Sequence, residues 1–243
     1  MSWKSAASAI ATGGETSAVQ VATAFTLSVA GSPVATGGPV ILTIQAVDSG
    51  GQTVTSYAGS VDVALTGSAT GAGTVTLASG IGTAPIGDAV AEAITVSLLY
   101  SGTESIDDSA TLVITFLSPA VITISGGAPF NFGTVPISSS APNSFTLSNT
   151  GAAEAVLSGY TGLDSRFAFT GGSAPGTAGD CGASLAGGAT CVIDLSYLPD
   201  AAVLQSVTLS VDYHSGVAPT STTRVLQGTG IAPAYLTISD GAT

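Results

Sequence analysis

The sequence predicts an all-β chain built from two tandem β-sandwiches. Three observations carry that reading. Apolar residues recur at every second position across many short segments, which is the period of a half-buried strand. Clusters of Gly, Ser, Thr, Asp and Asn separate those segments, as turns require. A length of 243 residues accommodates two domains of about 100–150 residues each.

Residues 1–20 are small and polar with little periodicity, and they read as a tail or linker. The first sandwich is expected over 21–118. Phe25, Leu27 and Val29 alternate with Thr26 and Ser28. Leu42, Ile44 and Ala46 alternate with Thr43 and Gln45. Val61, Val63 and Leu65 follow, then Val75 and Leu77. Ile94, Val96 and Leu98 alternate with Thr95, Ser97 and Leu99, and Leu112, Ile114 and Phe116 close the set. Turns fall at DSGG (48–51), at Gly71–Gly73 and at SGT (101–103). An antiparallel two-sheet sandwich of about seven strands is the economical arrangement.

Pro119 ends that unit, and a second sandwich is expected over 119–233. Its strands read around 121–125, 130–134, 144–149, 155–160, 167–170, 191–197, 206–213 and 222–228. Cys191, Ile193, Leu195 and Tyr197 face one way, and Val192, Asp194 and Ser196 the other. Residues 234–243, AYLTISDGAT, repeat residues 120–129, AVITISGGAP, at six of ten positions with an offset of 114 residues. The repeat predicts that 234–243 is the first strand of a further, truncated module, so the chain reads as a segment of a tandem array.

Composition excludes several functions. Fifteen acids against three Lys or Arg give a net charge of −12, which cannot neutralise a phosphate backbone, so no nucleic-acid partner is expected. Only 7% of residues are charged, yet 45% are apolar, so the chain is not disordered by composition. The longest apolar run, Ala110–Ile124, contains Thr, Ser and Pro119 and falls short of the roughly 20 residues of a membrane-spanning helix. No membrane insertion is expected in this segment.

The chemistry-bearing residues are few, and neither a catalytic residue, a metal site nor a cofactor is expected. His214 is the single histidine, and no GxSxG elbow accompanies it. Asp107 and Asp108 are adjacent loop carboxylates that could serve calcium, but no D-x-D-x-D-G pattern surrounds them. Arg166 and Arg224 are read as structural ion-pair partners. Phe130, Phe132, Phe145, Phe167, Phe169 and Tyr197 are read as core. Cys181 and Cys191 flank an eleven-residue segment, CGASLAGGATC. They are taken as a disulfide, with two buried free thiols as the alternative. A bridge there contributes roughly 2–3 kcal/mol in the chain-entropy model and points to an oxidising, extracellular setting.

The second unit resembles the hydin-like, choice-of-anchor D class of bacterial surface repeats across residues 120–233. The likeness rests on FGTV (132–135), FTLSNTG (145–151), the Cys181…Leu185…Gly188…Cys191 spacing, VIDLSYLP (192–199) and LQGTG (226–230). Tyr197 stands where the family usually shows Phe, a departure expected to change little. The first unit is similar to bacterial immunoglobulin-like repeats of large adhesins, through SPVATGGP (32–39), LTIQAVDSGG (42–51) and TSYAGSV (55–61). These resemblances imply immunoglobulin-like sandwiches from a secreted or cell-surface bacterial protein.

The function expected is that of a non-enzymatic segment of a surface adhesin or fibre, a stalk that carries or adjoins adhesion to a host or prey surface protein or glycan. Two alternatives stand beside it. One is a self-assembling fibre subunit, a homo-oligomer paired through strand edges, because this chain has almost none of the charges that usually guard such edges. The other is a carbohydrate-binding accessory module of a secreted enzyme.

Overall fold

The computed structural model describes residues 20–236. The expected tail at 1–20 and the strand expected at 234–243 therefore lie almost wholly outside the described residues. Within them, residues 232–236 carry no strand, and Tyr235 and Leu236 are exposed.

The chain is all-β. The first unit contains β1 (Ala24–Val29), β2 (Val34–Ala35), β3 (Val40–Val47), β4 (Gly59–Leu65), β5 (Gly73–Leu77), β6 (Ile81–Ile86), β7 (Ala93–Leu99) and β8 (Thr111–Leu117). The second contains β9 (Ile122–Ile124), β10 (Phe130–Pro136), β11 (Ala141–Asn149), β12 (Ala155–Thr161), β13 (Phe167–Phe169), β14 (Ser184–Leu185), β15 (Thr190–Tyr197), β16 (Leu204–His214) and β17 (Pro219–Ile231). A 3-10 turn at Thr170–Gly172 follows β13.

Each unit is a two-sheet, immunoglobulin-like sandwich. In the first, sheet β1-β3-β6 faces sheet β2-β8-β7-β4-β5. Phe25, Leu42, Ile44 and Ile86 from one sheet share a core with Val61, Ile94, Val96, Ile114 and Phe116 from the other. In the second, β13-β15-β11-β9 faces β10-β17-β16-β12-β14. Phe145, Leu147, Phe167, Ile193, Leu195 and Tyr197 meet Leu209, Val211 and Leu226 across that core. Alternation of apolar and polar residues sets which face each strand buries.

Two features depart from the sequence expectation. Neither sandwich is purely antiparallel: β2 runs parallel to β8, and β10 runs parallel to β17. In each unit the chain leaves the first sheet after β1 or β9, passes Pro33 or Pro129, and enters the opposite sheet beside the last strand. Proline lacks the N–H that a continuing ladder needs, so pairing breaks at that point. Strands β2, β6 and β14 were also not anticipated. The core-facing residues of β6 are Gly82, Ala84 and Ile86, with Gly82 against Val75 and Leu77. Two small residues in three give almost no apolar alternation to read.

Tyr197 is fully buried, stacks on Phe167 at 4.5 Å, and lies over Gly228 of β17. Its hydroxyl donates to Gln205 Oε1 at 2.9 Å or to the Gly228 carbonyl at 3.0 Å. The hydroxyl that distinguishes Tyr197 from the usual Phe therefore satisfies a buried amide. A Cβ at Gly228 would lie 2.3 Å from the Tyr197 ring, a hard clash, whereas one at Gly159 meets nothing within 4 Å. Gly228→Ala is expected to cost about 1–3 kcal/mol, and Gly159→Ala to leave stability nearly unchanged, as read by thermal denaturation.

Candidate functional site

The structure disperses the chemistry-bearing residues. His214 ends β16, is exposed, and accepts the Gly216 N–H on Nδ1 at 3.1 Å. Asp107 and Asp108 serve separate backbone groups. Asp107 Oδ1 accepts the Ser109 N–H at 2.9 Å, and Asp108 Oδ2 accepts the Tyr100 N–H at 2.8 Å. Among the described residues no group of three or more His, Cys, Asp or Glu converges on one point. No helix there is long and apolar enough to cross a membrane.

Of the two arginines read as ion-pair partners, one is. Arg166 pairs with Asp164, whose other oxygen accepts the N–H groups of Arg166 and Phe167. Arg224 instead donates to the Ile124 and Gly127 carbonyls. It sits on the core-facing side of β17 and reaches the point where the chain crosses between sheets. There two carbonyls have lost their ladder partners, and a cation with several donors suits them. Phe145, Phe167 and Tyr197 are fully buried, with Phe130 and Phe132 packed edge-on beside them; Phe169 pairs with Tyr160 at the border.

Cys181 and Cys191 lie with Cα atoms 5.0 Å apart and sulfurs at disulfide distance. The segment that enters Cys181 runs along the outer edge of β15. Asp194 N donates to the Pro175 carbonyl at 2.7 Å, Asp180 N donates to the Val192 carbonyl at 3.0 Å, and Val192 N donates to Asp180 Oδ1 at 2.6 Å. This cover also buries Asp194, which alternation alone placed outward. Its carboxylate accepts from Thr170 and Ser144.

Other edges are protected in the same neutral way. On β9, Ile122 N donates to the Tyr213 hydroxyl at 3.2 Å, and Arg224 takes the Ile124 carbonyl. Asp107 pairs with β1, through Phe25 N to its carbonyl at 3.0 Å and its N–H to Thr23 at 2.9 Å. Thr70 and Gly87 exchange N–H···O bonds beside the end of β6. Strands β2 and β14 are two residues long. Short edges and covering loops do here what lysines do elsewhere.

The residue that sequence reasoning missed is Asn149, 1% exposed at the end of β11. Its Oδ1 accepts the N–H groups of Val121 at 3.2 Å and Gly151 at 3.1 Å. Its Nδ2 donates to the carbonyls of Ala153 at 2.8 Å and Leu185 at 3.1 Å. One amide thus joins the start of β9, the β11–β12 turn and β14. The AsnThrGly turn signal pointed at the position but not at the burial.

The linker docks on that same turn. The Ser118 carbonyl accepts from Ala152 N at 3.2 Å and Ala153 N at 2.9 Å, and Ala120 N donates to the Ser215 carbonyl at 2.9 Å. Gly216 of the second unit touches Ala35 of the first: a Cβ there would lie 3.0 Å from that of Ala35. At the far end of the second unit, where β17 leaves, Leu198, Val203, Leu204 and Ile231 form an exposed apolar pole.

No family model matches the chain, and no curated protein matches it. Solved structures of similar local architecture include the FdeC adhesin of Escherichia coli, at 19% identity over 84% of this chain and 65% of that one, TM-score 0.40. Titin domains I67–I69 align at 11% identity over 84% of this chain and 66% of theirs, TM-score 0.42. The Vibrio cholerae VesB protease aligns at 17% identity over 55% of this chain, TM-score 0.36, and the chain covers only 41% of its length. With every TM-score below 0.5, no activity or partner carries over from them.

Two outcomes follow from this geometry. Asn149→Ala removes the partner of the Val121 and Gly151 N–H groups and of the Ala153 carbonyl, so it is expected to cost about 2–3 kcal/mol, measured by denaturant unfolding. The second concerns acid. The Ser109 N–H holds Asp107 below the usual carboxylate range, and the Tyr100 hydroxyl does so for Glu104. Burial pushes Asp164 up, but the Arg166 guanidinium and two N–H groups outweigh it, for a net lowering. Folded values below unfolded ones stabilise at pH above the unfolded carboxylate range. That contribution disappears as pH falls through the lowered values. The melting temperature is expected to drop below about pH 4.

Proposed function

We propose that the chain is a segment of a bacterial cell-surface or secreted adhesin or fibre, with tandem immunoglobulin-like modules acting as its stalk. The modules span 21–118 and 119–233, the second a hydin-like, choice-of-anchor D type repeat, and 234–243 begins a third. The observation that carries this reading is the docked linker. Ser118 and Ala120 bond to the second unit, and Gly216 seats against Ala35. A linker with its carbonyl and N–H groups engaged resists bending, as a spacer requires. The repeat of 120–129 at 234–243 supports a following module, and the exposed apolar pole at Leu204 and Ile231, where β17 leaves, suits its seat. The Cys181–Cys191 pair is a disulfide formed outside the cell. Adhesion to a host or prey surface protein or glycan belongs to this reading.

Self-assembly through strand edges is the less favoured alternative, because loops and side chains already occupy the edges of β1 and β9 and the part of β15 that β13 leaves open. A carbohydrate-binding accessory role finds no exposed aromatic platform among the described residues.

Light scattering combined with small-angle X-ray scattering tests the stalk. A monomer about two sandwiches long, with one fixed inter-unit orientation, is the expected result. Concentration-dependent association, or a freely bending pair, would overturn it. Thiol titration of the folded, non-reduced protein is expected to find no reactive cysteine. A glycan array separates an adhesive segment from a plain spacer.

A further inference from the structure

Among the described residues, the first unit holds a buried carboxylate with no cation beside it. Asp88, in the loop after β6, is 4% exposed. Its Oδ1 accepts the Val90 N–H and the Ser68 hydroxyl, each at 2.8 Å. Its Oδ2 is buried and has no partner. Glu92 joins it: Oε1 accepts the Ser68 N–H at 2.7 Å and lies 2.8 Å from the Ser68 hydroxyl. A hydroxyl carries one proton, so it cannot donate to both carboxylates at once. Residues 20–118 contain no Lys, Arg or His, and the described arginines, Arg166 and Arg224, are both engaged in the second unit. Buried charges are paired within the protein or bind an ion, and this unit offers no pairing.

The surroundings suit a hard ion. Asp88, Ser68 and Thr70 line an open groove of about 470 Å³ with Gly37 and Gly87. Its donors are carboxylate, hydroxyl and carbonyl oxygens. Calcium takes six to eight such oxygens in loose geometry, while soft metals want Cys or His. We infer that Asp88, Glu92 and Ser68 form a calcium site in the first sandwich, with carbonyls and water completing the shell. The site goes beyond the stalk reading and departs from the sequence expectation of no metal. Gly38 and Pro39 border both this groove and the cleft between the units, where Glu154 of the second unit also lies. A bound ion therefore stiffens the end of the first unit that meets the second.

The test uses the full chain stripped with chelator. Calorimetric titration is expected to show one saturable calcium site, with affinity in the 0.1–1 mM range typical of about the weakest extracellular modules. Saturating calcium is expected to raise the melting temperature of the first unit by about 4 °C or more. Asp88→Asn should abolish the response. Glu92→Gln, at a half-buried position, should weaken binding about tenfold with an unchanged far-UV spectrum, and it decides the matter if Asp88→Asn fails to fold. The inference is overturned if about 10 mM calcium gives neither heat nor shift. It is equally overturned if Glu92→Gln binds as the parent does, in which case the ion sits away from these residues.

Discussion

The amide of Asn149 is the constraint around which the second sandwich is organised. A single buried side chain answers backbone groups from the linker strand, the β11–β12 turn and β14. Most of these groups lie where strands end and the chain changes sheet, while Leu185 also pairs with Ala155 in the ladder. An amide can serve both needs at once, as donor and acceptor. Ser118 then docks on the turn that Asn149 holds. The order of that turn is therefore also the order of the joint between the two units. A hydrophobic residue of the same size would fill the space and leave the Val121 and Gly151 N–H groups and the Ala153 carbonyl unpaired.

The same economy governs the edges. With 7% charged residues, this chain cannot keep sheet edges apart by repulsion. It uses loops laid along strands and side chains that close individual backbone groups. The segment from Pro175 to Asp180 covers the open part of β15, and at its end Cys181 lies at disulfide distance from Cys191 of the strand. Arg224 is spent on two carbonyls rather than on a carboxylate. Neutral hydroxyls solvate the outer faces, as with the Ser60–Thr76 and Thr74–Asp62 contacts across β4 and β5. The edges of β1 and β9 are thereby closed without surface charge.

The first unit shows what this composition costs. With no cation among residues 20–118, each of its carboxylates must find backbone or hydroxyl donors. Asp48 does so within its own turn, through Gly50 N and Gln52 N at 2.9 Å. Asp107 and Asp108 do so across neighbouring loops. Asp88 does so with one oxygen and not the other. The exception stands out because the remaining acids solve the same problem with local donors.

The sequence alone determined the strands whose inward positions carry large apolar residues, such as Leu42, Ile44 and Ala46 or Leu209, Val211 and Tyr213. Side chains alternate across a strand whatever it pairs with, so that signal is local. Turn chemistry at 48–51 and 149–151 was legible for the same reason. The expectation of no nucleic-acid partner came from composition, without reference to any contact. Tertiary structure decided the rest: the crossing between sheets at Pro33 and Pro129, the parallel pairing of β2 and β10, and the burial of Asn149, Asp88 and Asp194. It also decided that Arg224 caps carbonyls while Arg166 pairs with Asp164. Each of these depends on what a distant segment brings to the position. Residues 124 and 224 meet only after the sheets have closed, and no local pattern records the partner that closure supplies.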